Sequence, residues 1–426
     1  IWAFRVEENV RGGIADGYWN VKAYTYHSER GIPGAIVNNV WRRGERQWDH
    51  NTFGQAVFQK SFGDKFSTKA LAKYAYYVTR YVNNDETQIH VDNTYRQQEM
   101  YFSTSNVYEI LSKWSVSMSY DFKWNKLNAN MVDFAFPHRY SNFVSLATAL
   151  TLSRIQAQAS LVEQVVKDHV KYGASSSSRS TLTPAFFVNV YPFESKLLAV
   201  KAFAKKSFRM PTFNDLYYTT TGSKSLAPED ATQLDLGLDW SIPATGLTIK
   251  ADIYHNSLKD KIIAVPTSNQ FRWSMYNIGK VRILGADVSA AYEKTFGRIL
   301  LGCRGRYTYQ KATDLSDREA VTYKGQIPYI PLHSGSGNIF MEILGWRLDA
   351  TFFATGERFS SSANLPAYRI APWQTLDASL SKSFKLTGSE LALRISLNNI
   401  LGENYEIVDN YPMPGTNLIA RLEYSF

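Results

Sequence analysis

The chain has 426 residues, 44% of them hydrophobic and 14% aromatic, with a formal charge of +9 and a mean hydropathy of −0.29. No stretch approaches eighteen consecutive apolar residues, so no transmembrane helix is predicted, and a spanning structure would have to be built of strands. The single cysteine, Cys303, excludes an intramolecular disulfide framework and a cysteine-rich zinc site; it is expected to fill space on an outward strand face. The Lys and Arg residues are scattered rather than clustered, which favours a basic lumen or contact with anionic lipid headgroups over nucleic acid.

Neither a start methionine nor a basic-then-apolar export segment stands at Ile1, so the chain is expected to begin downstream of any signal. In chain order, a partial strand is predicted from Ile1 to Glu7 and a long loop from Glu29 to Asn51. Gly63-Asp64-Lys65 reads as a short turn, and Tyr81 to Thr94 and Asn125 to Arg139 as long polar or aromatic segments. Phe193-Glu194-Ser195 is again short, and Arg209 to Glu229 long. Leu234, Leu236, Leu238 and Trp240 then alternate with Asp235, Gly237 and Asp239. Leu247, Ile249, Ala251 and Ile253 alternate with Thr248, Lys250 and Asp252. Long segments from Leu258 to Lys280, Lys311 to Leu332, Gly356 to Pro372 and Gly402 to Gly415 take turns with the short Gly345-Trp346 and Thr387-Gly388-Ser389. Leu391, Leu393, Ile395 and Leu397 form another apolar row, and Leu418, Ala420, Leu422, Tyr424 and Phe426 the last.

A soluble sandwich also alternates, so period two alone does not place these strands in a membrane. The short-long alternation of connections does, because it marks an up-and-down barrel with tight periplasmic turns and larger extracellular loops. A lipid-facing charge at the bilayer midplane costs roughly 2–4 kcal/mol, and the rows above carry none there. Lys382 falls on an apolar-phase face, but near the turn at Thr387, where that cost falls towards zero. The predicted class is all-β: a transmembrane antiparallel up-and-down β-barrel, about nineteen strands visible of twenty-two, with residues 1–426 as one barrel domain incomplete at its N-terminus. The alternative is a complete nineteen-stranded barrel. In the truncated reading, Thr416 to Phe426 pairs with an antiparallel strand outside this sequence, because unpaired backbone groups in lipid cost several kcal/mol.

Several motifs resemble the TonB-dependent receptors of the outer membrane. Phe208-Arg209-Met210-Pro211-Thr212-Phe213-Asn214-Asp215-Leu216-Tyr217-Tyr218, followed by Leu226-Ala227-Pro228-Glu229, is similar to that family's long-loop signature. Tyr276-Asn277-Ile278-Gly279-Lys280 and Gly285-Ala286-Asp287 resemble its Asn-x-Gly segment and the Gly-x-Glu of its descending strand, with Asp287 in place of the usual glutamate. Asn398-Asn399-Ile400-Leu401-Gly402-Glu403-Asn404-Tyr405 and Pro412-Met413-Pro414-Gly415 resemble the terminal hairpin, and a weaker likeness begins at Ser28-Glu29-Arg30. The resemblance is specific over about residues 200–426. It implies a plug domain and a TonB-contacting segment, to which nothing in this sequence corresponds, so neither calcium sites nor plug contacts carry over. The wording of the Phe208 loop is most similar to small receptors of the vitamin B12 type from Bacteroidetes-like bacteria, which implies a surface lipoprotein cap as a partner.

The chemistry-bearing residues are sparse. His27, His50, His90, His138, His169, His255 and His333 are widely spaced, and there is no His-x-x-x-His pair, Gly-x-Ser-x-Gly elbow or phosphate-binding loop. No enzyme, cofactor or metal site is predicted; a heme receptor would offer His50 or His138 as an axial ligand. The substrate-binding candidates are aromatic and basic loop residues able to cover a compact polar ligand: Arg46, Trp48, Arg209, Tyr217, Tyr218, Trp273, Tyr276 and Tyr411. Arg209 and Glu229 form either a tie at the loop base or a solvated pair. The expected function is active import of a small nutrient, a cobalamin-type vitamin first and a siderophore or heme second, with TonB and outer-membrane lipid as partners. A passive porin or structural barrel is the reading from another class.

Overall fold

The computed structural model describes residues 1–32, 34, 36–37, 40–41, 44–84, 90–217, 223–266 and 273–425. Nineteen strands join one sheet, the number expected from the sequence. They are β1 Trp2–Ile14, β2 Gly17–Gly31, β3 Glu45–Phe62, β4 Phe66–Asn83, β5 Val91–Leu111, β6 Trp114–Ala129, β7 His138–Thr151, β8 Ile155–His169, β9 Arg179–Val190 and β10 Leu198–Arg209. After the short helix α1, Phe213–Tyr217, follow β11 Glu229–Ile242, β12 Leu247–Pro266, β13 Trp273–Phe296, β14 Ile299–Asp314, β15 His333–Ile343, β16 Trp346–Thr355, β17 Trp373–Leu386, β18 Ser389–Asn398 and β19 Asn417–Ser425. Short and long connections alternate along the chain. Many strands run well past ten residues, so parts of the segments expected to be loops, Glu29 to Asn51 and Leu258 to Lys280 above all, are strand extensions.

The contacts divide the chain into two units, one holding residues 1–188, 204–232 and 259–278 and the other the remainder. In the first, β1 to β8 pair in sequence order, each antiparallel to the next. Phe58, Tyr74, Met100, Phe102, Met118, Leu146 and Leu161 are all exposed on one face. The opposite face is polar. Four carboxylates, Glu8, Glu29, Asp92 and Glu163, share the apolar phase; Glu29 and Asp92 pair with Arg46 and Arg80, and Glu163 accepts a hydrogen bond from Ser180.

In the second unit β13 to β19 pair in the same antiparallel order. The registers carry the apolar row across strand after strand: Leu301 opposite Met341, Met341 opposite Leu348, Leu348 opposite Leu380, Leu380 opposite Ile395 and Ile395 opposite Ala420. Such a row, exposed to the outside and free of charge, is what a bilayer requires. Cys303 sits in the outward phase opposite Ile339 and is exposed, as expected. Lys382 bends its ammonium to the Leu344 carbonyl at 2.6 Å, over the Trp346 ring. It reaches the interface by snorkelling, beside a turn whose Leu344 and Gly345 both take positive φ.

The inward side of this unit is built from charge. Phe340, 2% exposed, lies under Arg347 at 4.1 Å and Arg304 at 5.6 Å. Arg347 pairs with Asp349 at 3.1 Å and Arg304 with Glu293 at 3.5 Å. Gly302 makes room for this stack, since a Cβ there would come within 2.2 Å of the Phe340 ring.

Candidate functional site

The loop-bearing end of the first unit is closed by a small core of its own: Tyr95, Leu127, Ala129, Phe134, Ala135, Phe213, Leu216, Tyr217, Leu226 and Ile262. Strands provide one side of it, and the segments 130–137, 210–217 and 223–228 provide the other. A capping box starts α1, the Asp215 carboxylate accepting from the Thr212 amide at 2.8 Å and the Thr212 hydroxyl accepting from the Asp215 amide at 3.2 Å.

Beneath the helix lies a buried ion pair. Arg139 and Asp168 stand directly opposite on β7 and β8 and form two parallel bonds of 2.6 and 2.7 Å. The Asp168 side chain is 0% exposed. Arg139 also donates to the Pro211 carbonyl at 2.7 Å and stacks 5.1 Å from the Phe213 ring, so one guanidinium ties two strands to the loop.

The motif residues hold the same loop from its other end. The Glu229 carboxylate accepts from the Ile262 amide at 2.6 Å, and Arg209 reaches both Asp215, at 3.4 Å, and Glu229, at 3.6 Å. Of the two readings of that pair, the solvated pair is the one observed: Arg209 is half exposed, its contact with Glu229 is too long for a hydrogen bond, and it adds little energy. Asn277 clamps the exit: its amide oxygen accepts from Ala227 N at 2.8 Å, and its Nδ2 donates to Ala227 O at 3.0 Å and Asp260 O at 2.6 Å. The Asn of the Asn-x-Gly segment is therefore a splice holding the Leu-Ala-Pro-Glu segment to the next strand pair.

The eight candidate residues do not gather at one place. Arg209 and Tyr276 are partly or well exposed on the first unit. Tyr217 is 4% exposed within the loop core, where burial raises its phenol above the ordinary range. Tyr218 and the Trp273 side chain lie outside the described residues, as does Phe426. Arg46 and Trp48 lie on β3 in the phase of Phe58, the outward one. Arg46 is paired with Glu29, and Trp48 lies under Arg80 at 5.2 Å, while Arg80 itself is paired with Asp92 at 2.7 Å. This is an aromatic and charged rim on the outside of the strands.

His50 and His138 also face outward, away from the polar face where heme would be held. Each has a companion that sequence spacing hid: His27 Nδ1 lies 3.2 Å from His50 Nδ1, and His169 stands opposite His138. The polar face below the loop core holds residues that sequence reasoning did not single out. Glu99, partly buried, accepts from Lys123 at 2.8 Å, Lys73 at 3.1 Å and Asn125 at 3.1 Å; Asp49 binds Arg30 at 3.0 Å and the Thr79 hydroxyl at 2.9 Å. Only cross-strand register brings these together, and no local signal marks them.

In the second unit Tyr411 belongs to a two-strand hairpin, Glu406–Val408 with Tyr411–Pro412. Arg358, 2% exposed, pins this hairpin by donating to the Glu406 and Ile407 carbonyls. Tyr329 nearby has its phenol pushed up to about 12 by burial, with Asp409 and Tyr411 adding to the effect. A hollow of about 270 Å³ is lined by Arg369, Ile370, Tyr405, Asp409 and Met413 among others. Burial lifts the Asp409 carboxyl above its ordinary range, against a Ser360 hydrogen bond that pulls it down. A carboxyl raised on folding stabilises below its unfolded pKa, and that contribution is lost as pH rises through the folded value. The segment 399–416 should therefore show greater amide protection, corrected for intrinsic exchange, at about pH 4 than at about pH 7.5. Asp409→Asn should remove the difference, and equal protection at both pH values in the unaltered protein would contradict the assignment.

The family described as TonB dependent receptor-like, beta-barrel matches residues 7–400. Over 229 residues the chain is 25% identical to the vitamin B12 transporter BtuB of Vibrio vulnificus, covering 51% of this chain and 33% of that protein. It is 23% identical over 242 residues to BtuB of Photobacterium profundum, covering 54% and 36%. The matched stretch thus spans about a third of those relatives' length. Among solved structures, the copper transporter OprC superposes with a TM-score of 0.78 at 14% identity, covering all of this chain and 72% of that one. The unliganded ferric citrate transporter FecA gives 0.76 at 13%, covering 99% and 70%. With its strand pattern, its loop motifs and a family match over most of its length, the chain belongs to the TonB-dependent receptor β-barrels, proteins of the bacterial outer membrane.

Proposed function

We propose that the protein works as an active importer of a compact, scarce nutrient, with cobalamin-type vitamins as the substrate class. The observation that carries this reading is that the two curated relatives above are both vitamin B12 transporters. Ferric citrate and copper transporters share the fold at low identity and favour a siderophore or metal chelate as the second reading. In this account Arg209, Tyr218, Trp273, Tyr276 and Tyr411 are the candidates for ligand contact. Tyr217 packs within the core of the Phe208 loop, and Arg46 and Trp48 anchor the outer rim. Import itself is driven by TonB acting on a plug, and a surface lipoprotein caps the loops; both partners belong to the proposal.

The test is equilibrium binding of cyanocobalamin and of ferric siderophores to the full receptor in detergent. Saturable cobalamin binding, weakened by Arg209→Ala or Tyr276→Ala, is expected. Tight binding of an iron chelate with no measurable cobalamin affinity would transfer the protein to the second reading.

A further inference from the structure

A second site lies on the outward side of the strands that carry the loop core. Lys126 on β6 stands opposite His138 on β7, and His138 opposite His169 on β8. Period two places all three in the outward row with Met118, Leu146 and Leu161, which are 53%, 54% and 40% exposed. The buried Leu127, Arg139 and Asp168 point the other way. One step down the same row, Trp124 stands opposite Tyr140; the Trp124 ring lies 6.0 Å from His138 and the Tyr140 ring 6.0 Å from His169. One step up, the Lys171 ammonium lies over the rings of Tyr172, at 4.9 Å, and Phe136, at 5.7 Å.

Lys126, Asn128, Phe136, His138, His169, Val170 and Lys171 line an open hollow of about 360 Å³, and among the described residues no carboxylate lines it. This differs from Arg46 and Arg80 elsewhere on the rim, which are already paired with Glu29 and Asp92. Going up these strands, the outward surface passes from a mainly aliphatic belt, where Glu163 is bonded to Ser180, to the aromatic pair Trp124 and Tyr140 flanked by Lys167, and then to a cationic hollow. That is the profile of a membrane from acyl chain through interface to headgroup.

We propose that this hollow holds the phosphate-bearing headgroup of an outer-leaflet lipid, its acyl chains lying along Phe122, Val144 and Val165 below. The two ammonium groups supply point charges suited to phosphate, and the imidazoles and Asn128 supply directional donors. A free phosphate would satisfy the same donors, but it would leave unused the aromatic and apolar row directly beneath them. Attraction at this depth is stronger than in bulk water, because half the surroundings are of low dielectric constant.

The test uses the full receptor purified in detergent, exposed to bisphosphorylated lipid A, to the same lipid with its phosphates removed, and to inorganic phosphate, with bound lipid counted by native mass spectrometry. The phosphorylated lipid should be retained, and Lys126→Gln with Lys171→Gln should lower its affinity by about fivefold or more. Lys126→Arg with Lys171→Arg should keep it, and Lys65→Gln in a distant turn should change nothing. Heat-modifiable migration checks that each variant is folded; Lys171→Gln alone, on an exposed position outside the strands, serves if the double variant is not. Unchanged retention in the glutamine variants, equal retention of the dephosphorylated lipid, or complete displacement by inorganic phosphate would each overturn the assignment.

Discussion

Arg139→Ala should release the loop over residues 210–228 while leaving the strand ladder in place. The substitution removes two bonds to Asp168, one to the Pro211 carbonyl and the stacking on Phe213. It leaves a carboxylate with no exposed side-chain surface and no cation beside it. Breaking one side of such a pair costs about 3–5 kcal/mol, mostly from the stranded charge rather than the lost attraction. The barrel ladders are numerous enough to absorb that, but the loop core of about ten residues is not. Fast amide exchange and protease cleavage within 210–228 are therefore expected, with little change in heat-modifiable migration. Arg139→Met combined with Asp168→Leu removes both charges and should recover most of the protection, because the site is otherwise lined by Phe213, Leu216 and Tyr217. Exchange in Arg139→Ala indistinguishable from the unaltered protein would show that the pair does not hold the loop.

The same pair shows where a sequence stops being legible. Within a strand, side-chain period is a local property, so the rows through Leu234, Leu393 and Leu418 can be read directly and all three prove exposed. Register between strands depends on turn geometry and loop length, which no single residue displays. Arg139 and Asp168 are 29 positions apart and His27 and His50 are 23, yet each pair is directly opposed. Loop boundaries blurred for a different reason. Strands such as β3 and β12 continue beyond the lipid, where their outward face need not be apolar; the ladder goes on while the period-two signal fades. Arg46 and Trp48 looked like loop residues on that account. Tyr217 is illegible in another way: an aromatic residue in a long loop suits a ligand or a loop core equally, and its packing with Phe213, Leu216 and Leu226 emerges only in the fold.

Ile339→Arg tests the orientation of the whole strand set. Ile339 is 67% exposed near the middle of β15, between the His333 end and the turn at Leu344, and its outward neighbours are Cys303 and Ala350. If this face meets lipid, a guanidinium there sits where snorkelling is least effective, and the loss should be about 2–4 kcal/mol. Folding yield into bilayers and the denaturant midpoint of the folded form measure it. Ser336→Arg, three residues away on the opposite, polar face, provides the contrast: it meets Arg306 across the ladder and should cost far less, since a water-filled or protein-filled lumen can solvate charge. Were the sheet instead half of a soluble sandwich with Ile339 open to water, both arginines would be tolerated. Were the faces reversed, Ser336→Arg would be the damaging change. The exposed apolar rows on β13 to β19 favour a large penalty at Ile339 alone, because a surface so rich in Leu, Ile and Phe is stable only when hydrocarbon covers it.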